Sequence, residues 1–69
     1  MNSKKFENMI LNVAKQRTKL NISAYELSLR IGKDASYISK FENGKVNASI
    51  KTLIEICNQL KINLEDIFK

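Results

Sequence analysis

Residues 23–45 read SAYELSLRIGKDASYISKFENGK, and this stretch decides the fold. Ser23 stands three residues before Glu26, the capping-box spacing in which each side chain satisfies a free backbone N–H at a helix start. Leu27 and Ile31 fall on one helical face, and Gly32 follows as a left-handed terminating residue. Asp34 offers an N-cap for a second short helix, in which Ile38 and Phe41 face inward as i, i+3 neighbours. Asn43-Gly44 ends that helix with two residues tolerant of positive φ. The spacing therefore predicts helices over about 24–31 and 35–43, joined by a tight turn. Ser28 and Gly32 are small enough for two helices to cross steeply. Leu27, Ile31 and Ile38 fill the space between the pair and the body of the domain.

Working outward, the periodicity stays helical, with no β-branched alternation and no proline. Phe6, Met9, Ile10, Val13 and Ala14 make one apolar stripe of a helix over about 3–19. Lys15, Arg17 and Lys19 crowd its last turns, where positive charge suits the helix dipole. Ser49 opens a fourth helix, about 49–60, with Ile50, Leu53, Ile54, Cys57 and Leu60 as its core stripe. Asn63 caps a short fifth, about 64–68, whose Leu64, Ile67 and Phe68 serve a core or a second copy of the chain equally well. The expectation is one all-α domain of five helices over residues 1–69.

Composition excludes several classes of function. Sixty-nine residues bury only roughly 60% of the surface of the unfolded chain, too thin a core for a deep catalytic pocket. There is no histidine and one cysteine, so a disulfide within the chain and a Cys–His catalytic pair are both ruled out. One thiol without imidazole makes no zinc site, and Cys57 reads as a small buried hydrophobe. The expectation is no enzyme, no cofactor and no ligand-sensing domain. No apolar run approaches the length of a membrane span, and MNSKKF is not a signal peptide, so a cytoplasmic protein is expected.

The net charge is +5. Residues 1–29 and 30–51 carry +3 each and residues 52–69 carry −1, so the basic excess includes the central stretch. Such a surface attracts polyanions or simply keeps a protein in solution, and charge alone does not choose. The placement of side chains chooses better. The 35–43 helix keeps a small polar face: Ala35, Ser36, Ser39 and Lys40, with Tyr37 beside them. Small residues let a helix approach base edges closely. Lysine donates to guanine or phosphate, and serine bonds either a base or a phosphate. The Tyr37 hydroxyl reaches a phosphate, or its ring packs on the preceding helix. This is the organisation of a helix-turn-helix, whose second helix enters the major groove of DNA.

The residues Ser23, Glu26, Leu27, Ile31, Gly32, Tyr37-Ile38-Ser39 and Glu42-Asn43-Gly44-Lys45 resemble the Cro/repressor type of helix-turn-helix, the XRE family. Ser49, Leu53, Ile56 and Leu64-Glu65-Asp66-Ile67-Phe68 extend the resemblance over about residues 6–68. It implies a five-helix, lambda-repressor-like domain that binds double-stranded operator DNA, commonly as a homodimer. By matching position, Ala35, Ser36 and Lys40 are nearest the base edges, and Ser39, on the same polar face, completes the expected base-contacting set. Ser23, Lys33, Tyr37, Asn43 and Lys45 are the phosphate-contacting set. The resemblance also implies an ion pair between Arg17 and Glu42.

Three departures stand out. The family often has glutamine, a phosphate ligand, where this chain has Ala24. Leu29 replaces a charged residue on the outer face of the second helix, and Gln16 replaces a core leucine for which Leu20 is expected to compensate. A transcriptional repressor or autoregulator is the leading expectation. The alternative is a protein-interaction module that kept the fold and lost DNA readout.

Overall fold

A computed structural model describes residues 3–69. Four α-helices follow one another: α1 (Ser3–Lys19), α2 (Ala24–Arg30), α3 (Tyr37–Glu42) and α4 (Ile50–Leu60). The fifth element, Leu64–Phe68, is a 3-10 helix rather than the expected α-helix. Five residues are too few to repay the cost of an α-helical nucleus. It is held instead by Ile67, fully buried, and by Leu64 and Phe68 packed half-buried on the core. All three residues therefore serve the core.

Val13, Leu27, Ile38, Phe41, Ile56, Leu60 and Ile67 are fully buried and join the four helices and the 3-10 helix in one cluster. α1 lies across the 3-10 helix, α3 and α4, while α2 packs on α3 and α4. Met9 and Val13 carry the α1 stripe, with Ile10 half-buried and Phe6 at the rim. The α4 stripe differs from expectation. Leu53, Ile56, Cys57 and Leu60 are buried, whereas Ile50 and Ile54 are 61% and 44% exposed. Ile50 and Ile54 lie on one flank of the apolar stripe of this helix and Ile56 on the other, with Leu53, Cys57 and Leu60 between them. Packing selects the flank that includes Ile56.

Two amides of α1, one turn apart, tie down the end of the chain. Asn12 Nδ2 donates to the Ile67 carbonyl at 2.9 Å, and Gln16 Nε2 donates to the Leu60 carbonyl at 2.9 Å. Gln16 thus satisfies a free carbonyl at the end of α4. Leu20, 36% exposed, does not take the place of a core leucine.

Every α-helix ends in the same way, with a residue in the left-handed region: Asn21 (φ 59°), Gly32 (74°), Gly44 (72°) and Lys61 (57°). At Gly32 and Gly44 both bonds of a Schellman motif close. Lys33 N–H donates to the Ser28 carbonyl (3.0 Å) and Gly32 N–H to that of Leu29 (3.0 Å). Lys45 N–H donates to Lys40 (2.8 Å) and Gly44 N–H to Phe41 (3.1 Å). A Cβ added at either glycine meets nothing within 4 Å, so the demand for glycine is conformational and not steric. Lys61 bears that conformational cost with an exposed side chain. Lys61→Gly is expected to raise the melting temperature by roughly 3–6 °C in a thermal scan, the relief of the left-handed strain less the extra freedom of an unfolded glycine.

Candidate nucleic-acid interface

α3 has two faces at helical spacing. Ile38 and Phe41 are fully buried and anchor it. Ser36, Ser39, Lys40 and Asn43 follow the i, i+3, i+4, i+7 rule on the opposite side, and all four are exposed. The helix is shorter than the expected 35–43, because Ala35 and Ser36 lie in the turn before it. Asp34 makes that turn. Its Oδ1 accepts the Ser36 hydroxyl at 2.7 Å and the Ser36 N–H at 3.0 Å, and its carbonyl accepts the Tyr37 N–H at 3.1 Å. Asp34 therefore closes an Asx turn rather than capping the helix directly. The Ser36 hydroxyl, followed by its N–H, holds the Asp34 carboxyl below its ordinary range. With its proton engaged, Ser36 presents acceptor lone pairs outward, and Lys40 supplies the exposed donor and charge of this face.

The residues expected at phosphates lie on and around this helix. Ser23 caps α2, its hydroxyl accepting the Glu26 N–H at 3.0 Å. Glu26 does not complete the reciprocal box expected from its spacing. Its carboxylate pairs with Arg30, one turn on. Lys33 lies with its ammonium 5.4 Å from the centre of the Tyr37 ring, a cation–π contact that holds both side chains beside the turn. Burial against the core pushes the Tyr37 hydroxyl above its ordinary pKa, so it remains a donor. Asn43 closes the end of α3 by donating Nδ2 to the Ser39 carbonyl at 2.8 Å. Lys45 is exposed just past Gly44.

The helix is fixed from two sides. Glu42, at its end, takes Arg17 in a two-toothed pair: Nε to Oε2 at 2.7 Å and Nη2 to Oε1 at 3.0 Å. Arg17 Nη1 also donates to the Ile22 carbonyl at 2.9 Å, so one guanidinium joins the end of α1, the α1–α2 turn and the end of α3. The Glu42 hydrogen bond raises the Arg17 pKa further above its ordinary value. At the other end, the fully buried Ser28 accepts the Ile38 N–H at 2.9 Å. In the sequence Ser28 reads only as a small residue at a helix crossing, and its bond to Ile38 spans ten residues. The available signal was a hydroxyl placed on the same stripe as Leu27 and Ile31.

Cys57 is buried in α4, and burial raises its thiol pKa, consistent with a packing residue. Among the described residues no group of side chains is arranged to hold a metal ion, and no helix is long and apolar enough to cross a membrane.

No curated protein and no solved structure matches the chain. A helix-turn-helix family model matches residues 13–67, which contain the capped turns, the α3 anchor and the Arg17–Glu42 pair. The chain therefore belongs to the Cro/repressor-type (XRE) helix-turn-helix family of DNA-binding transcription regulators.

Proposed function

We propose that this protein is a sequence-specific repressor or autoregulator that lays α3 in the major groove of operator DNA and acts as a homodimer. The observation that carries the reading is the exposed Ser36–Ser39–Lys40–Asn43 row on a helix whose other face is locked by Ile38 and Phe41. A reading helix must present polar groups at a fixed angle, and this one is both polar and immobilised. Ser39 and Lys40 meet base edges, with Ala35 and Ser36 at the leading end. Ser23, Lys33, Tyr37, Asn43 and Lys45 set the register on the phosphates. Such a protein works where the DNA is, in the cytoplasm.

Selection of duplexes from a random library by the purified protein, followed by sequencing, tests the reading. Recovery of a common half-site supports it, and failure to enrich any sequence at low salt counts against it. Lys40→Ala is expected to weaken binding to the selected duplex by about 1–3 kcal/mol, the value of one good base contact, as measured by fluorescence anisotropy. Two exposed apolar side chains on α2, Tyr25 at 62% and Leu29 at 51%, favour the second reading, a module that binds another protein through that face. A stable protein complex combined with salt-insensitive or absent DNA binding would establish it.

A further inference from the structure

The first turn of α3 is held from outside the helix. With six residues, α3 is too short to persist on its own hydrogen bonds. Its N-cap, Ser36, makes no side-chain cap bond, because its hydroxyl is turned to Asp34. The Ile38 N–H, free of any partner inside the helix, points at Ser28 Oγ. The proton of that hydroxyl goes to the Ala24 carbonyl at 2.8 Å. The hydroxyl is thereby oriented, with its proton committed to α2 and a lone pair aimed at α3. A continuous line runs from the first residue of α2 through Ser28 to the first turn of α3. The site is fully buried, so water does not replace the oxygen if it is removed.

We propose that Ser28 is a positioning residue for DNA reading: by accepting the Ile38 N–H, it sets the rotation and height of α3 over α2, and so where Ser39 and Lys40 meet the base edges. The proposal rests on the DNA-binding reading above. Ile38 and Phe41 hold α3 down, but apolar packing is non-directional and tolerates small rotations. A hydrogen bond weakens steeply when bent, so it defines an angle. Ser28 itself touches no DNA.

Ser28→Ala removes one oxygen and leaves a better helix former, so α2 is retained. Ser28→Cys keeps the side chain with a weaker acceptor and carries the same comparison if the alanine variant does not fold. Wild type, both Ser28 variants and Cys57→Ala, a buried truncation in α4, are titrated with the selected duplex and with a scrambled one. The temperature is one at which circular dichroism shows each protein folded. Ser28→Ala is expected to lose about tenfold on the selected duplex, the equivalent of one base contact, with affinity for scrambled DNA and salt slope unchanged. Ser28→Cys falls between, Cys57→Ala binds both duplexes as wild type does, and the Ile38 amide exchanges faster in Ser28→Ala. An unchanged ratio of specific to non-specific affinity in the Ser28 variants overturns the proposal, as does an equal loss in Cys57→Ala. If the wild-type protein selects no duplex, the DNA reading falls and the proposal falls with it. Selection by wild type with indistinguishable Ser28 variants removes the proposal alone.

Discussion

Glu42→Ala is expected to lower the melting temperature by about 10–20 °C, the consequence of stranding a guanidinium in a mostly buried site. The side chains of Arg17 and Glu42 are 18% and 16% exposed, so little water reaches the charge left behind. The intact pair contributes little net stability, because both ions were removed from water to form it. The loss of one partner is costly, about 3 kcal/mol for this degree of burial. Glu55→Ala, which removes a half-exposed carboxylate on α4, is the control and should change the melting temperature far less. Equal losses in the two variants would sink the pairing argument. Arg17→Lys should resemble Glu42→Ala more than wild type, because an ammonium cannot reproduce the two parallel bonds to Glu42 together with the third to the Ile22 carbonyl.

Salt should act on DNA binding by an amount that also counts the copies bound. Lys33 and Lys45 are the lysines of the phosphate-facing set, so each copy neutralises two phosphates under the proposed docking. The slope of log affinity against log salt is then about −1.8 for one copy and about −3.6 for two. Raising salt from about 50 to about 200 mM weakens binding about 12-fold in the first case and about 150-fold in the second. Lys33→Ala should reduce the slope by about 0.9 per copy, with little change in sequence preference. A flat salt response would contradict phosphate contact altogether. A slope near −1.8 on a full selected site would contradict the homodimer.

The parts of this fold that were legible in the sequence are those encoded over three to six residues. Ser23 with Glu26, Gly32, and Asn43-Gly44 mark helix ends through backbone geometry, and all three lie at observed boundaries. The Arg17–Glu42 pair spans 25 residues and entered only through family resemblance, because no local rule links such positions. Asn12 and Gln16 were less legible still. An amide on a helix face reads as surface until the carbonyl it meets is known, here 55 and 44 residues away. The α4 stripe was ambiguous because Ile50, Ile54 and Ile56 cannot all face inward, and only tertiary packing ranks them. At the interface, the residue types on α3 were readable. The engagement of Ser36 by Asp34 and of Ile38 by Ser28 was not, since both depend on the shape of the turn.

The four left-handed helix ends also bear on how the chain reaches its fold. A Schellman turn is completed by bonds spanning six residues, so the stop signal of each helix operates before any long-range contact exists. The chain thereby carries its helix boundaries in local sequence, and the search is narrowed to arrangements that respect them. Few registers compete, and local preference agrees with the final arrangement. Folding on a microsecond-to-millisecond scale is the corresponding expectation for a small helical protein of this kind. In that light Gly32 and Gly44 act on the speed and fidelity of assembly as much as on the stability of what is assembled.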